Sequence, residues 1–524
     1  MIISGKNSKV TVPIKRIAAI DLGTNSFHAI IVDLYSDGSF RKVDDLKEMV
    51  QLAKGGLGKR LSEGAFSRGM KALKNIKVLC DSHNVEKILA YATSAIRESE
   101  NGGEFIQDSI DRYDIKINAI PGYVEAELIG YAVQHGIKLS KEPVLITDVG
   151  GGSVEFILAN STTFHFLTSK KIGVSRMTDI FKPSDPIKPE EIRQLEDHYA
   201  EQFDELSTAL SKHKTTTIVG SSGTMQNIAT MIAARKNHSV EVTLNEMEYS
   251  AQDFFAFYKD FIKLNRGERR KIKGLDEKRI DFINTGVVLV NFLLREFNIK
   301  KVKISTQALR EGIIIRYLKK DMIGLPWAEN MTDPRKRSVF ELLRKCDWHE
   351  THSMHVSKMA LQIFDTLKGD LELKESDREL LEYASYLHDI GYYISHSKHH
   401  KHALYIIRNS TLKGFREEEI EVIANVARYH RRSTPKKRHL QYWKLKPEAR
   451  KRIKQLAGIL RVADGLDRSH YQNVQELELE VREKELVFKI KVQSDPQLEI
   501  WGAQRKSHLL REVSGKKISF EVVN

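Results

Sequence analysis

The strongest constraint on the fold is a pattern that the chain contains twice. Residues 17–33 (IAAIDLGTNSFHAIIVD) and 144–159 (VLITDVGGGSVEFILA) each place a loop of Asp, Gly and Ser between two apolar, β-rich runs. Each copy predicts a β-hairpin whose glycine turn directs backbone N–H groups at one spot and so favours an anion. The loop residues are Asp21, Gly23, Thr24, Asn25 and Ser26 in the first copy and Asp148, Gly150, Gly151, Gly152 and Ser153 in the second. Two copies predict a duplicated fold whose halves hold a phosphate chain from both sides.

A third glycine loop lies in residues 217–229 (TIVGSSGTMQNIA). Its pattern is typical of a strand, a turn and then a helix, and the N-terminus of a helix favours an anion. The candidate phosphate-binding residues are Gly220, Ser221, Ser222 and Gly223. The alternative is a turn with a purely structural role.

Three charged residues near these loops are candidates for chemistry. Arg97 opens a helix after a strand, where its guanidinium either binds phosphate in bidentate fashion or forms an ordinary salt bridge. Glu125 opens an amphipathic helix, where a carboxylate either complements the helix dipole or, facing the phosphate site, acts as the general base that activates water. Glu155, on the strand after the second loop, is placed to assist with metal or water.

The second half carries histidine and aspartate in an ordered series. Residues 349–367 predict a helix with His352 on one stripe, and a second apolar helix ends in the pair His388 and Asp389. A lone buried histidine is usually a core residue, but imidazole and carboxylate together are ligands for a divalent metal that keeps open water positions. The series resembles the site of the HD-superfamily phosphohydrolases. That resemblance implies His352, His388, Asp389 and Asp464 as metal ligands, with His402 and His430 nearby.

The chain is basic, with 84 Lys and Arg against 70 Asp and Glu and a formal net charge of +14. This surplus either serves solubility or attracts polyanions, among which nucleic acid, acidic lipid headgroups and polyphosphate all qualify. Much of it lies in the basic run, residues 427–454, where Glu448 is the only acid.

The length of 524 residues predicts about three or four domains. No apolar stretch is long enough to cross a bilayer, and the first residues, MIISGKNSKVTVPIKR, lack the apolar core of a signal peptide. The two cysteines, Cys80 and Cys346, predict neither a disulfide framework nor a zinc ribbon. We therefore expect a cytoplasmic protein with no membrane partner.

Several motifs of the first 320 residues resemble, in order, those of the exopolyphosphatase / guanosine pentaphosphate phosphohydrolase family, within the actin, sugar-kinase and heat-shock ATPase superfamily. The matching segments are AAIDLGTNSFH, ATSAIRES, PGYVEAELI, DVGGGSVEF, VGSSGT, GLDEKRIDFINTG and STQALREG. The resemblance implies that Glu125 is catalytic with Glu155 in support, that Arg97 binds phosphate, and that Asp148 holds Mg²⁺ or Mn²⁺. It also implies a homodimer. One departure is Glu127, which stands where the family has arginine.

These observations predict an α/β fold of two actin-like (ribonuclease H-like) lobes, followed by an all-α HD-type domain and a small α+β tail. The expected boundaries are 1–135 and 136–320 for the lobes, 321–338 for a linker, 339–472 for the helical domain and 473–524 for the tail. The tail alternates in polarity and predicts a β-hairpin that turns at Glu483 and Lys484.

The expected activity is an exopolyphosphatase, which releases terminal orthophosphate from inorganic polyphosphate with no specific nucleic-acid partner. Hydrolysis of guanosine pentaphosphate at the same site is the nearest alternative. Transfer of phosphate from polyphosphate to ADP and a nucleotide-switched binding protein of the actin or chaperone kind are the others. The HD-type domain is a candidate for a second nucleotide phosphohydrolase and for a further divalent metal.

Overall fold

A computed structural model describes residues 13–36, 38–52, 60–236, 244–321, 333–346 and 348–523 of the chain. The chain divides after Pro334 into two compact units, which are described separately below. Most of the predicted linker, residues 322–332, and the first twelve residues lie outside the described part. No helix in the described ranges is long and apolar enough to cross a membrane. Cys80 and Cys346 are buried free thiols, in agreement with the sequence prediction.

The first unit contains two sheets that repeat one plan. Their strands are β1 Lys15–Leu22, β2 Ser26–Leu34, β3 Phe40–Met49, β4 Lys87–Ala92, β5 Ile117–Ala119, β6 Val144–Val149, β7 Val154–Ala159, β8 Phe164–Lys170, β9 Thr217–Gly220, β10 Glu248–Ser250 and β11 Lys301–Ile304. The orders are β3-β2-β1-β4-β5 and β8-β7-β6-β9-β11-β10. In both sheets the first three strands in sequence pair antiparallel, and two further strands add in parallel: β4 and β5 in the first sheet, β9 and β11 in the second. The second sheet has one more strand, β10, which pairs antiparallel with β11. The duplication predicted from the two loops is therefore a duplication of sheet topology.

Both predicted hairpins are present. β1 pairs with β2 up to Leu22 and Phe27, and β6 pairs with β7 up to Val149 and Val154, so each glycine loop is the turn between two antiparallel strands. The strands form because their apolar side chains are buried on both faces: β7 is buried along its whole length.

Twelve helices of the first unit lie within the described residues: α1 Glu63–Ser82, α2 Ser94–Arg97, α3 Gly102–Tyr113, α4 Gly122–Gly136, α5 Val174–Phe181, α6 Pro189–Ala200, α7 Asp204–Lys212, α8 Gly223–Arg235, α9 Ala251–Phe261, α10 Arg266–Arg269, α11 Ile283–Glu296 and α12 Leu309–Asp321. Helix α4 ends at the predicted boundary between the lobes. Helix α12, predicted to belong to the second lobe, packs on α4 and β1 instead. One core cluster accordingly contains Ile17 and Ile30 of the first sheet together with Ile146, Val219 and the side chains of α12.

The second unit is built on a helical core. Its helices are α13 Pro334–Lys345, α14 Glu350–Leu367, α15 Glu375–Leu387, α16 His399–Arg408, α17 Glu417–Arg428, α18 Leu440–Trp443, α19 Pro447–Gly465, α20 Gln497–Lys506 and α21 His508–Ser514. The strands β12 Val474–Val481, β13 Glu485–Val492 and β14 Lys517–Val523 form one sheet, and the first two make the predicted hairpin at residues 482–484.

Two of the predicted boundaries differ from the structure. The sequence predicts that residues 334–338 belong to the linker, but they form the first turn of α13. Proline is tolerated at the first position of a helix, because the N–H that it lacks would have no acceptor within the helix there. The tail from 473 was assigned to a separate domain, but Val474 and Leu510 belong to the same apolar core as Val356. Helices α20 and α21 pack on α19, so the tail completes the helical unit instead of folding apart from it.

Candidate functional site

A polar cleft of about 330 Å³ lies in the first unit, where the loops that follow β1, β6 and β9 meet. Fifteen of the predicted site residues line it: Asp21, Gly23, Thr24, Asn25, Ser26, Glu125, Asp148, Gly150, Gly151, Gly152, Ser153, Glu155, Ser221, Ser222 and Gly223. Gly220 ends the buried strand β9, and Arg97 lies behind the cleft wall. One surface is therefore formed by the loops after β1, β6 and β9 and by the start of α4, although these segments are far apart in sequence.

The two hairpin turns lie against each other without room for larger side chains. A Cβ added at Gly152 would stand 2.2 Å from Ser94 Oγ and 3.1 Å from Thr24 Oγ1, and one at Gly151 would stand 3.0 Å from Asn25 Nδ2. The backbone N–H groups of Thr24, Asn25, Gly151 and Gly152 donate to no acceptor among the described residues. Facing amides of this kind form a concave site for an anion.

Glu125 lies in the first turn of α4 and is 7% exposed. Its Oε2 is 3.3 Å from Arg97 Nη1, and the same nitrogen donates to Ile120 O at 2.7 Å. Burial raises the pKa of Glu125 well above its usual value; the charge of Glu155 raises it further, and Arg97 opposes both. Arg97 therefore holds the carboxylate in place; this agrees with the salt-bridge interpretation of Arg97, except that the partner is buried and not on the surface.

Of the other three acids of the cleft, Glu155 is buried and Asp21 and Asp148 are half-buried. Burial raises the pKa of Glu155 to about 8 and that of Asp148 to about 6, and with the charge of Asp148 it raises the pKa of Asp21 to about 7 against the opposing charge of Arg310. Glu155 accepts a 2.8 Å hydrogen bond from Ser169 Oγ. Four carboxylates in one cleft repel each other, and a bound cation would relieve that repulsion.

Three basic residues of the cleft escaped the sequence analysis: Lys47, Arg279 and Arg310. Arg279 Nη1 donates to Thr224 Oγ1 at 3.3 Å beside Gly223, and Arg310 contacts His28 Nδ1. Burial and the neighbouring Arg310 and Lys47 lower the pKa of His28 to about 4, so this ring is neutral. Arg279 and Arg310 lie inside two of the motifs that carry the family resemblance, GLDEKRIDFINTG and STQALREG. Their position in these motifs is the signal by which the sequence could have identified them as site residues.

The cleft continues into a small side pocket. The two cavities share Asn25, Lys47 and Arg279, and the side pocket adds Lys278 and Phe282. A positive wall thus extends beyond the glycine loops.

The donor set of the cleft suits a hard divalent cation. Carboxylate oxygens are the ligands that Mg²⁺ and Mn²⁺ prefer. Among the described residues, however, the groups of three candidate ligand atoms within 4.8 Å of one another all lie in the second unit. Asp21 and Asp148 fit the common arrangement in which Mg²⁺ is held by one or two carboxylates and by the phosphates of the substrate.

The four predicted ligands of the second unit converge in a buried cluster. His352 Nε2 is 3.8 Å from Asp389 Oδ2 and 3.8 Å from Asp464 Oδ1, and His388 Nε2 is 3.5 Å and 3.9 Å from the same two oxygens. Both Nε2 atoms are buried and have no hydrogen-bond partner among the described residues. They point at carboxylates from distances that leave room for a cation.

The cluster contains two more histidines on its other side. His399 Nε2 and His430 Nε2 lie 3.1 Å and 3.5 Å from Asp389 Oδ1. His430 was predicted nearby, whereas His402 belongs to none of the ligand groups found in the described residues, and His399 takes its place. His470, stacked on His352 at 3.7 Å between ring centroids, also stands in one of these groups.

Each imidazole of the cluster is oriented from behind. His352 Nδ1 lies 2.8 Å from Asp467 Oδ2, His388 Nδ1 is 2.7 Å from Ser385 O, and His430 Nδ1 is 2.6 Å from Ala427 O. A hydrogen bond from Nδ1 leaves the lone pair on Nε2, which is the arrangement of a metal-ligating histidine.

A cavity of about 450 Å³ opens beside the cluster within the second unit. Asp389, Asp464 and His430 form one side of it, and Lys506 makes a short ion pair with Asp464 there. The remaining wall carries arginines and the half-exposed Trp501. Arg431 and Arg432 of the basic run belong to this wall, so part of that run lines a pocket.

Comparison with known proteins gives two family matches. The model of the Ppx/GppA phosphatase family matches residues 31–321, and that of Ppx/GppA phosphatase, domain III, matches residues 335–501. An exopolyphosphatase from Cytophaga hutchinsonii is 31% identical, with a TM-score of 0.55, over 59% of this chain and 99% of that one. A Ppx/GppA family member from Aquifex aeolicus is 25% identical, with a TM-score of 0.50, over the same shares. These matches confirm the predicted fold of two actin-like lobes followed by a helical domain.

Proposed function

Because this chain belongs to the Ppx/GppA phosphatase family, we propose that its first unit is an exopolyphosphatase that releases terminal phosphate from inorganic polyphosphate. The observation that carries this proposal is the pair of abutting glycine loops with Glu125 buried beside them. That arrangement offers an anion site and a proton acceptor on the same surface.

Binding begins at the glycine loops. The amides of Thr24, Asn25, Gly151 and Gly152 donate to the oxygens of the terminal phosphates, and Arg279 and Arg310 balance their charge. The carboxylates Asp21 and Asp148 would hold Mg²⁺ or Mn²⁺, which would screen the negative charge that collects on the phosphate oxygens.

Glu125 takes a proton from a water molecule as the water oxygen bonds to the terminal phosphorus. The bond from this phosphorus to the bridging oxygen breaks, and the shortened chain leaves with the electron pair on that oxygen. Burial makes Glu125 a stronger base than a solvated carboxylate, since its pKa is raised, and Arg97 keeps it oriented and opposes that rise.

The residues that line the cleft favour polyphosphate over a nucleotide as the substrate. Among the described residues the cleft itself is lined by no Phe, Tyr or Trp, and its side pocket continues the positive wall with Lys278, although it also contains Phe282. Guanosine pentaphosphate remains the nearest alternative substrate, since its phosphates would meet the same loops. Transfer to ADP and nucleotide-switched binding are further alternatives. The homodimer and the cytoplasmic location stay predictions.

The test is phosphate release with magnesium from long-chain polyphosphate, guanosine pentaphosphate and ATP in parallel. We expect release from polyphosphate to fall by about 10²–10⁴-fold in Glu125→Gln, the range that a positioned general base supplies. Glu127→Gln is the matched control, because this residue lies on the same helix, bonds Tyr131 and does not line the cleft. Release that survives in Glu125→Gln but disappears in Asp389→Ala would move the reaction to the second unit.

We also infer that the second unit binds a divalent metal through the four predicted ligands His352, His388, Asp389 and Asp464. Support comes from His352 Nε2 and His388 Nε2, which are buried, face carboxylates and have no hydrogen-bond partner in the part of the chain that the structure describes. The name HD-type for this domain rests on the sequence resemblance and on this ligand set.

A further inference from the structure

We propose that Glu98 and Arg176 are positioning residues of the hydrolysis, which fix the place of Glu125 relative to the second glycine loop. This inference rests on the polyphosphate hydrolysis proposed above, and neither new residue is among the described residues that line the cleft. Glu98 follows α2 in the first lobe, and Arg176 lies on α5 in the second lobe. The contact between them therefore joins the two lobes.

Four polar contacts connect Glu125 with the second glycine loop. Arg97 Nη1 donates to Glu125 Oε2 at 3.3 Å, and Arg97 Nη2 lies 3.5 Å from Glu98 Oε1. The other oxygen of Glu98, Oε2, accepts from Arg176 Nη2 at 2.9 Å, and Arg176 Nε donates to Gly152 O at 2.7 Å. Each arginine thus contacts Glu98 on one side and a group of the proposed active site on the other.

Glu98 and Arg176 differ from an ordinary surface ion pair. Their side chains are 11% and 12% exposed, whereas Lys171, which lies 3.2 Å from the same oxygen of Glu98, is 68% exposed. Burial acts to raise the pKa of Glu98, but Arg176 and Lys171 outweigh it and hold that pKa below its usual value, so this carboxyl is ionised at neutral pH. A buried charge that loses its partner is costly, so the ion pair keeps the guanidinium of Arg176 in one place.

The backbone of the second glycine loop is held from the side of α5. Val174 N donates to Gly150 O at 3.0 Å, and Ser175 N donates to Gly151 O at 2.9 Å. The carbonyl and the N–H of a trans peptide point in opposite directions. Carbonyls that face α5 therefore direct the N–H groups of Gly151 and Gly152 away from α5, and both residues line the cleft. The start of α5 thus sets the direction of amides that are proposed to bind phosphate.

Arg176 holds the last peptide of the loop in the same way. Its Nε is 2.7 Å from Gly152 O, while Gly173 N donates to the same oxygen from 3.4 Å. The N–H of this peptide belongs to Ser153, which also lines the cleft. A charged donor makes a stronger hydrogen bond than a backbone amide, so Arg176 contributes most to the orientation of this peptide.

The contacts matter because the loop and the base must act on the same phosphate. The loop amides hold the phosphate oxygens, while Glu125 has to reach a water molecule beside the terminal phosphorus. A displacement of a reacting group by about 1 Å can cost roughly 100-fold in rate. Glu98 and Arg176 limit this displacement, because movement of the loop away from Glu125 would break a buried ion pair.

Steady-state hydrolysis of polyphosphate tests the role of Arg176. We expect Arg176→Met to lower kcat by about 100-fold and to raise KM, because the loop both orients and binds the phosphates. Arg176→Lys should stay at least about tenfold below the parent in kcat, since lysine keeps the charge but lacks the planar fork that reaches two acceptors. This milder variant also serves if Arg176→Met fails to fold.

The matched control is Lys171→Gln, which removes the exposed partner from the same carboxylate oxygen. We expect its kcat to stay within about twofold of the parent, because exposed ion pairs contribute little. Full activity in Arg176→Lys would overturn the positioning role, and so would equal losses in Arg176→Met and Lys171→Gln.

A double-mutant cycle tests whether Glu98 acts through Arg176. Glu98→Gln keeps the size of the side chain and removes its charge. We expect the loss of kcat in the double variant to be at least about fivefold smaller than the product of the two single losses, as for residues of one ion-pair network. Single losses that multiply would show that the two residues act independently and would overturn the proposal.

Anion binding gives a reading that requires no turnover. Isothermal titration calorimetry of a Glu125→Gln chain with tripolyphosphate and magnesium measures the affinity, and sites elsewhere in the chain are the same in every variant. We expect Arg176→Met to weaken binding by about tenfold, the effect of one lost hydrogen bond to a charged oxygen. Lys171→Gln should leave the affinity unchanged.

The positioning role and the proposed activity fail in different ways. A parent that releases no phosphate from polyphosphate refutes the activity, while weaker tripolyphosphate binding in Arg176→Met would still support Arg176 as a positioning residue of the anion site. Normal hydrolysis, with equal binding in Arg176→Met and Lys171→Gln, would refute the positioning role and leave the activity in place.

Discussion

The cleft of the first unit and the histidine cluster of the second unit both bury acids, but they surround them differently. In the cleft, burial dominates and raises the pKa of Asp21 and Glu155. In the cluster, burial also acts to raise the pKa of Asp389, but its electrostatic interactions with His388 and His430 and its hydrogen bond with His399 outweigh burial and hold that pKa well below its usual value.

The difference suggests how each site is completed. The cleft gathers acids, amides and arginines that become balanced only when phosphates and a cation enter together. The cluster packs imidazoles against carboxylates, which is a ligand set ready before any substrate arrives. If this distinction is correct, changes in the cleft should act through substrate binding and catalysis, and changes in the cluster should act through metal affinity.

The largest effect is expected from Gly152→Ala in the cleft. Its Cβ would stand 2.2 Å from Ser94 Oγ and 3.1 Å from Thr24 Oγ1, so the second glycine loop must shift away from Ser94 and the first loop. A shift of about 1 Å in a reacting group can cost roughly 100-fold in rate, and we expect at least that loss in polyphosphate hydrolysis. Gly103→Ala in α3, where a Cβ meets nothing within 4 Å, should keep full activity. Equal activity in the two variants would contradict the loop-to-loop site.

Asp467→Asn should lower the metal affinity of the cluster, although Asp467 is not one of the proposed metal ligands. Asp467 Oδ2 orients His352 through Nδ1, and loss of such a partner typically lowers metal affinity by about 10–100-fold. Competition with a fluorescent chelator measures this change. Polyphosphate hydrolysis serves as the internal control and should not change; an unaltered metal affinity would show that the orientation of His352 is not needed.

Glu155→Gln should stabilise the first unit at neutral pH. The pKa of Glu155 is raised from its usual value to about 8, so the folded chain holds this proton more tightly than the unfolded chain. Stability from this group therefore falls as the pH rises from about 4.5 to about 8, and glutamine removes that loss.

Denaturant unfolding without divalent metal measures the difference between Glu155→Gln and the parent. We expect roughly 1–3 kcal/mol in favour of the variant at pH 7.5, an order-of-magnitude figure for one strongly shifted group, and little difference at pH 4.5. Glu127→Gln is the control, since this side chain is only partly buried. A gain that is equal at both pH values would refute the electrostatic cause.

The smallest effect is expected from the basic run. Replacing Lys436, Lys437 and Arg438 by glutamine should weaken the binding of long polyphosphate by about three- to tenfold at low salt and flatten its salt dependence, because these exposed charges attract polyanions. Short polyphosphate is the control substrate. Unchanged binding of long polyphosphate would show that these three residues of the basic run do not attract the substrate. A role for the run would then be confined to Arg431 and Arg432, which line the cavity of the second unit.

The local parts of both sites could be predicted from the amino-acid sequence. A glycine turn between two apolar runs specifies a hairpin wherever it stands, so the loops at 21–26 and 148–153 and the helix start at Glu125 followed from local pattern. The position of His388 and Asp389 at the end of a helix could also be predicted from local pattern. Residue type and spacing carry such information because turns and helix ends depend on nearby atoms.

The contacts between side chains that are far apart in sequence are set by the tertiary structure. Arg97 reaches Glu125 across 28 residues, and Arg310 reaches His28 from the far end of the unit. In the stretch 396–402, four histidines stand within seven residues, and packing of α16 directs His399, not His402, at Asp389. Contacts of this kind depend on how helices and sheets bury their apolar faces against one another, which no local spacing encodes.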